Sequence, residues 1–480
     1  MTTISLAHRR IAHGAAPILL TMSLGVLIAQ IDTSVVNLAV AQIGARLDAG
    51  VGALQWIVDA YNLVYASLLL TAGTLADLYG RRRIFALGIA LFTFGSLICG
   101  LAPNAAVLIA GRAVAGLGAA LEVPTSLAIL TVAYPDTKER TQALGLWASC
   151  NGIAFVVGPT LGGVLVDAAG WRSIFLLIIP LCAATLALTA TSVPESKNPE
   201  DRGLDLPGQA LAVAALGALS LAFIEGPRWG WTSGAGMSAF AGALVAAVLF
   251  LLRQAGTGAL VPFSMFKNRA FSASLSVAAG MTFGMYAMLF LTPLYLQAAR
   301  GDSALIAGVE LLPMSVTFVV VSQLSGKIAN RFGPRLPMTL GMAMMGSGLF
   351  MLALIALDDR LFLIEAALTV IGCGLGLNTG PVNAVAVANA AAARSGTASG
   401  LLNTARMIGA TLGIAVLGAV FAMFAGGGTP SLPSSASGAG LGIVAGLAPA
   451  YVGGGIGELI GAAIAFAFIR RGALRQTTKQ

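Results

Sequence analysis

Residues 73–83 read GTLADLYGRRR, and residues 326–335 read GKIANRFGPR. Both stretches contain a glycine, an alanine three positions later, a second glycine seven positions later and an arginine nine positions later. Each stretch follows a long apolar run and precedes another one. A charged turn that closes an apolar helix, and that occurs twice, indicates an internal repeat in a helical membrane protein.

The composition of the whole chain agrees with that prediction. Of the 480 residues, 57% are hydrophobic and only 10% are charged, and the mean hydropathy is +0.89. Soluble domains carry about 25% charged residues, so this chain has too few charges to cover a soluble surface. A membrane-spanning helix needs about 20 apolar residues. We find 14 such runs, numbered here as spans 1–14, and their lack of strict alternation predicts helices rather than strands.

Several classes of protein are excluded by the same residues. The sequence has no phosphate-binding loop of the GxxxxGK[ST] type, which argues against ATP as the energy source. Its two histidines both precede span 1, and the four cysteines form no ligand motif, so we expect no metal site and no cofactor. A Ser/His/Asp triad inside the helical region is impossible, and we expect no enzyme.

Basic residues set the expected orientation in the membrane. Of the 27 Lys and Arg residues, 20 lie in the N-terminus, the even-numbered loops and the C-terminus, and 5 lie in the odd-numbered loops. The positive-inside rule therefore places both termini in the cytoplasm. The net charge of +8 would face the cytoplasmic lipid surface, so we expect no nucleic-acid partner.

The two copies of the turn divide the chain. They follow spans 2 and 10, an offset of eight helices, so we expect an all-α protein in which two helices are inserted between two six-helix bundles. The predicted regions are a cytoplasmic N-terminus (1–16), an N-terminal bundle (17–193), the inserted pair (206–252), a C-terminal bundle (271–424 with 441–469) and a cytoplasmic tail (470–480).

Four segments carry a resemblance to a known family. They are the turn at 73–83, RAVAGLGAA at 112–120, GIAFVVGPTLGG at 152–163 and IDTSVVNLA at 31–39. Together they resemble the major facilitator superfamily, and more narrowly its fourteen-helix drug:proton antiporters, which include quaternary-ammonium and methylenomycin resistance exporters. WIVDAY at 56–61 and GVELLP at 308–313 are most similar to the methylenomycin branch. Ala115 departs from the pattern, because the span 4 motif commonly has Gln there.

The resemblance implies a function and its partners. It implies a monomeric, proton-coupled exporter of small amphipathic, cationic drugs or antibiotics that works by alternating access in the lipid bilayer of the bacterial plasma (inner) membrane. One alternative is an exporter or carrier of a neutral or anionic natural product or metabolite. A remote alternative is a non-transporting membrane sensor, against which stands the lack of any long soluble segment.

Carboxylates inside the spans are the first candidates for chemistry, because a charge at the membrane centre costs about 2.5–3.5 kcal/mol. Asp32 lies near the middle of span 1, where burial disfavours its charged form and suits proton exchange. The resemblance places the family's span 1 acid here, with proton-coupling and substrate-binding roles. The alternative is a structural hydrogen bond to Asn37 or a neighbouring helix.

Two further acids, Asp59 and Glu310, lie in the outer thirds of spans 2 and 10. Each belongs to a different bundle, so both are candidates for a central cavity. The resemblance to cationic-drug exporters makes them candidate substrate-binding residues, and Glu310 also a proton site. The alternative is a solvated rim of the outer vestibule.

Span 4 contains both Arg112 and Glu122. Ten residues separate them, which is about 15 Å along a helix, so each needs another partner. Arg stays charged, and Arg112 could therefore keep a nearby carboxylate ionised. The resemblance assigns Arg112 to proton transfer; the alternative is a structural bond to backbone carbonyls. Glu122 is a second proton-coupling candidate without a clear family counterpart.

Gating is predicted for two groups of residues. In span 5, Gly158 and Pro159 remove a helical hydrogen bond, while Gly152, Gly162 and Gly163 would let a neighbouring helix approach. The resemblance makes this a seal between bundles; the alternative is ordinary small-residue packing. In the turn after span 2, the resemblance implies that charged contacts latch the cytoplasmic side, and the candidate residues are Gly73, Asp77, Gly80 and Arg81.

Overall fold

The computed structural model describes residues 2–197, 204–256, 263–354, 360–390, 395–425 and 436–470. Side chains are described from residue 15 onward, apart from those of residues 70, 137, 151, 395, 396 and 436–441. These ranges fold as helices joined by short loops, and they contain no strand. The tail predicted at 470–480 lies outside them except for Arg470.

The helices match spans 1–14, and we label them α1–α14, with two of them broken into parts a and b. The bounds are α1 (Thr2–Leu47), α2 (Val51–Tyr79), α3 (Arg81–Leu101), α4 (Ala105–Ala133), α5 (Thr137–Ala169), α6a (Arg172–Leu176), α6b (Ile178–Ser192), α7 (Leu206–Trp229), α8 (Gly234–Gln254), α9 (Arg269–Ala298), α10a (Ala304–Glu310), α10b (Leu312–Phe332), α11 (Arg335–Ala353), α12 (Leu361–Ala388), α13 (Ser395–Phe424) and α14 (Ala436–Phe468).

The prediction of 14 spans is confirmed. In the described ranges, 13 helices are long and apolar enough to cross a membrane, and α2 makes the fourteenth although it bends by 57° after Leu69. The breaks in the sixth and tenth helices have a common cause. Pro180 and Pro313 lie within the first turns after them, and a proline ring collides with the carbonyl four residues earlier and cannot donate a hydrogen bond.

Two bundles account for most of the packing. In the first, α4 packs on α2 and α3, and α1 packs on α5 and α6b. In the second, α12 packs on α10b and α11, and α9 packs on α13 and α14. Short loops join consecutive helices and reverse their direction. Consecutive helices therefore run in opposite directions. We call the end of the molecule where α1 begins the terminal end, and the opposite end the far end.

The inserted pair, α7 and α8, pack on each other, and α7 also packs on α2 and α13. Hydrogen bonds tie α7 to α2 at both ends. Near the far end, Trp56 Nε1 donates to Glu225 at 3.3 Å. Near the terminal end, Thr71 donates to Gln209, which in turn donates to the carbonyl of Ser67. Helix α7 is thus attached to the N-terminal bundle, and it lies against the contact between α2 and α13.

Asp205 joins the two inserted helices at the terminal end. Its Oδ1 caps α7 by accepting from Gly208 N and also accepts from Arg253 Nε, each at 3.0 Å, and its Oδ2 accepts from Gln254 at 2.9 Å. Burial opposes ionisation of Asp205, but these hydrogen bonds outweigh it and leave its pKa below the usual value. Its ionised form therefore clamps α7 and α8 at neutral pH.

Candidate functional site

A buried ion pair joins α1 to α4 in the N-terminal bundle. Arg112 Nη1 lies 2.5 Å from Asp32 Oδ2, and each side chain is 1% exposed. Arg112 Nε also donates to the carbonyl of Ile57 at 3.0 Å, and its guanidinium lies 4.4 Å from the ring centre of Tyr61. Arg112 thus has both a carboxylate and a backbone carbonyl, while Asp32 Oδ1 has no hydrogen-bond partner.

Sequence reasoning did not identify Asp32 as the partner of Arg112, because the two lie on different helices. The alternative bond from Asp32 to Asn37 is not formed, since the Asn37 amide donates to the carbonyl of Thr33 at 3.1 Å. A glycine of α4 explains how that helix comes close to α2, whose Ile57 carbonyl also accepts from Arg112. A Cβ on Gly116 would lie 2.5 Å from the carbonyl oxygen of Tyr61 on α2, so only glycine allows this approach.

Glu122 belongs to the same neighbourhood. It is 0% exposed, and neither of its carboxylate oxygens has a hydrogen-bond partner. Its charge interacts with that of Asp32 and with the phenol of Tyr65. This part of the N-terminal bundle therefore encloses one guanidinium and two carboxyl groups, and of the two only Asp32 forms an ion pair among the described residues. A proton added to Asp32 would weaken its ion pair with Arg112, so the cluster can respond to protonation.

Asp59 and Glu310 lie elsewhere, each in its own surroundings. Asp59 is 0% exposed, so the alternative of a solvated rim is wrong for it. It lies beside the hydroxyl groups of Ser220 on α7 and Thr411 on α13, and neither of its carboxylate oxygens makes a hydrogen bond. The contact with the inserted helix was not foreseen.

Glu310 ends α10a near the far end and is 6% exposed. The charges that act on it belong to Asp302, Arg300 and Glu365. Asp32, Asp59 and Glu310 therefore have separate sets of polar and charged neighbours in this conformation.

The span 5 motif makes close contacts at the far end, partly as predicted. Cβ atoms on Gly158 and Gly162 would lie 2.6 Å from Ser34 Oγ and 2.8 Å from Val35 Cγ1, so these glycines admit α1 of their own bundle. Pro159 contacts the other bundle, because its carbonyl oxygen touches Gly308. The close approach predicted for Gly152 is not found: its Cβ would make an ordinary 3.5 Å contact.

Gly163, another glycine at which a close helix approach was predicted, makes a tight contact between the bundles. Its Cβ would lie 2.5 Å from Leu305 Cα on α10a. Asp167, one turn later, accepts hydrogen bonds from Ala304 N at 3.1 Å and Leu305 N at 2.9 Å. Sequence reasoning overlooked Asp167, although a carboxylate that caps a helix of the other bundle is a strong tether.

Other hydrogen bonds between bundles also gather towards the far end. Gln55 in α2 donates to the carbonyl of Ile414 in α13 at 2.8 Å, and Gln297 in α9 donates to the carbonyl of Leu38 in α1 at 2.9 Å. These hydrogen bonds fasten the two bundles together towards the far end.

The turn after α2 adopts the expected charged structure. Asp77 and Arg81 form an ion pair at 2.8 Å. Gly80 and Gly333, the equivalent glycines of the two copies, have φ angles of +110° and +81°, a backbone region that favours glycine. Glu195, beyond α6b, accepts from Arg82 N at 3.1 Å. These contacts stay within the N-terminal bundle, and Gly73 has no close neighbour.

Replacing Asp167 by Ala is expected to loosen the far end. The variant leaves two backbone donors of α10a without an acceptor, and loss of a helix cap costs about 1 kcal/mol. We expect a lower Tm for the purified protein in detergent, with Asp167→Asn falling between Ala and wild type because one acceptor oxygen remains. An unchanged Tm for Asp167→Ala would contradict the role of this cap.

Two six-helix bundles that meet along a central seam, fastened at one end and enclosing ionisable groups, define a solute transporter of the two-bundle class. The sequence profile of the Major Facilitator Superfamily matches residues 22–414. The chain belongs to this superfamily, whose members are transporters and not enzymes.

Among curated relatives, the chain is 40% identical to Multidrug resistance protein Stp of Mycobacterium tuberculosis, over 84% of this chain and 75% of that protein. It is 37% identical to the Methylenomycin A resistance protein of Bacillus subtilis, over 84% and 87% of the two chains. Among solved structures, the fold is similar to a bacterial homologue of the human lysosomal transporter Spinster, with a TM-score of 0.69 at 18% identity over 96% of this chain and 97% of that one.

Proposed function

We propose that the protein exports small amphipathic drugs or antibiotics across the bacterial plasma membrane in exchange for protons. The buried Asp32–Arg112 pair beside the unpaired Glu122 is the observation that carries this proposal. The names of the similar proteins, which describe resistance to several drugs or to methylenomycin A, support the drug-export part. No cofactor is needed, because the membrane potential supplies about 2.3 kcal/mol per charge at about 100 mV.

Proton coupling follows from the balance of charge in the N-terminal bundle. With Asp32 ionised, the pair with Arg112 is neutral, and the site can be enclosed. A proton on Asp32 or Glu122 changes the net charge of the cluster, and burial makes every such change energetically large. Protons would therefore bind on the outer side and be released on the inner side. Each of these steps would favour one of two states of the bundle interface.

The contacts between bundles support one assignment of the present state. The far end is fastened through α5 and α10a, where Asp167 caps the helix of the other bundle. With both termini in the cytoplasm, as the basic loops predict, this is the inward-facing state. Substrate would then bind from the cytoplasm or the inner leaflet, and the far-end contacts would open to release it.

The charge of the substrate is the finer part of the proposal. Four buried carboxylates, Asp59, Glu122, Glu310 and Glu458, form no ion pair among the described residues, and this excess of acidic groups favours cationic amphipathic compounds. Asp59 is shared by α2, α7 and α13, so relative movement of the bundles would change its surroundings. The protein would act as a monomer, because one chain supplies both bundles.

Efflux of ethidium from a bacterial host that lacks its main pumps tests the proposal. Cells that express the protein should accumulate less ethidium than cells with the empty vector, and an uncoupler should remove the difference. Efflux that persists with the uncoupler would contradict proton coupling. If expressed protein gives no efflux above the vector, the cationic form of the proposal is wrong, and neutral or anionic compounds become the substrates to test.

A further inference from the structure

The C-terminal bundle encloses a carboxyl group of its own. Glu458 lies in α14 and is 0% exposed. It stands ten residues before Phe468, where the helix ends, which is about 15 Å along the helix and close to the middle of the span. Neither of its carboxylate oxygens has a hydrogen-bond partner, and it forms no ion pair with any residue that the structure describes.

Glycines and an apolar side chain from α9 and α11 surround this carboxyl group. A Cβ on Gly284 of α9 would lie 2.6 Å from Glu458 Oε1 and 2.8 Å from Leu349 Cδ1 of α11. A Cβ on Gly346 of α11 would lie 3.3 Å from Glu458 Cβ. The backbone N–H of Gly284 is the polar group beside the carboxyl group, but it already donates within α9.

The helices that pack on α14 carry few ionisable groups. These are Arg269, Tyr286 and Tyr295 of α9, Arg335 of α11 and Arg406 of α13, with Tyr451 on α14 itself. None of them forms a hydrogen bond or an ion pair with Glu458. A buried carboxylate without a counter-charge is strongly unfavourable, whereas its protonated form is neutral and is buried at far lower cost. The close packing around Glu458 therefore requires the neutral form.

Helix α9 links this carboxyl group to the interface between the bundles. One turn of α9 contacts Glu458 through Gly284, and near the far end Gln297 of α9 donates to the carbonyl of Leu38 in α1 at 2.9 Å. An ionised Glu458 would need water, which would enter as α14 separates from α9. Binding and loss of a proton would thus favour different positions of a helix that touches both bundles.

We propose that Glu458 is a second proton-binding site, which takes up one proton from the outer side and releases it to the inner side in each transport cycle. This inference rests on the proton-coupled export proposed above and adds the number of protons. The cluster of Asp32 and Glu122 would move one proton, and Glu458 another. Exchange of two protons for one monovalent cation carries one net positive charge inward, so transport would respond to the membrane potential.

Ethidium transport by the purified full-length protein in proteoliposomes tests this number. A pH gradient and a potassium diffusion potential would be imposed separately, with protein-free vesicles as the baseline. In wild type each should drive transport, and a potential of about 100 mV supports up to about a fiftyfold gradient for one net charge. In Glu458→Gln the pH gradient should still drive transport, while the response to the potential should disappear. The matched control is Glu139→Gln, at an exposed position in the first turn of α5.

The Tm in detergent gives an independent measurement of the proton on Glu458. Unfolding exposes Glu458 to water, where it ionises above about pH 4.3. The stability gained by burying its protonated form is therefore lost as the pH rises. Gln carries no such proton, so the Tm of Glu458→Gln relative to wild type should increase from about pH 5 to about pH 8.

An equal response to the potential in wild type and Glu458→Gln would overturn the proposal. A Tm difference that does not change with pH would also overturn it, because Glu458 would then hold no proton in the folded protein. Wild-type protein that moves no ethidium under either gradient would overturn the export function instead, and the Tm comparison would show separately whether Glu458 is protonated.

Discussion

Uncoupler-sensitive efflux is expected to disappear when Asp32 is replaced by Asn. The substitution keeps the size of the side chain but removes the carboxylate that balances Arg112 at 2.5 Å. Breaking one partner of a buried ion pair costs about 3–5 kcal/mol, which corresponds to a loss of roughly 100-fold or more in the population of the paired state. The loss would be measured as the rate of ethidium efflux at matched expression of wild type and variant, with cells containing the empty vector as the baseline.

Two companion variants separate coupling from folding. Asp32→Glu retains the carboxylate and should keep part of the uncoupler-sensitive efflux. Asp32→Asn combined with Arg112→Gln removes both charges, so it should restore expression and thermal stability without restoring proton-coupled efflux. If Asp32→Asn exported ethidium at the wild-type rate, Asp32 would have no place on the proton path.

Replacing Gly163 by Leu is expected to hold the far end open. A Cβ at this position would lie 2.5 Å from Leu305 Cα, which is backbone and cannot rotate away. Overpacking of this kind costs about 1–3 kcal/mol, so the fastened state would lose about tenfold or more of its population. Transport should fall by a similar factor, because the cycle requires the far end to close.

The distance between spin labels on α5 and α10a would measure this opening. Val164→Cys and Ile306→Cys place the labels at exposed positions beside the contact, in protein whose four native cysteines are replaced by serine. The matched control is Gly145→Leu, on the same helix, where a Cβ would meet open space. Equal label distances in Gly163→Leu and wild type would contradict the role of Gly163 in closing the far end.

Much of the fold was predictable because it depends on local chain properties. Runs of about 20 apolar residues must form helices in lipid, and the loop arginines predict their direction. The repeated glycines at 80 and 333 were visible as a spacing, and both have the positive φ that glycine favours. The breaks after Leu176 and Glu310 could have been foreseen from Pro180 and Pro313. A count of apolar residues does not consider where the prolines lie.

The candidate site was predictable only residue by residue. Apolar context identified Asp32, Asp59, Arg112, Glu122 and Glu310, because each is a costly charge inside a span. The grouping of these residues could not be predicted from the sequence, because it depends on which faces of the helices pack against each other. The structure pairs Asp32 with Arg112 from another helix, and it gives Asp59 and Glu310 separate neighbours.

By itself, the sequence determined that this chain crosses a membrane about fourteen times, with a repeated turn and a few costly charges. Hydropathy, glycine spacing and loop charge are properties of short segments, so they need no knowledge of helix packing. Only the tertiary structure decided which charges are balanced and which end is closed. Those depend on contacts between residues far apart in the chain, such as Asp32 with Arg112 and Gly163 with Leu305.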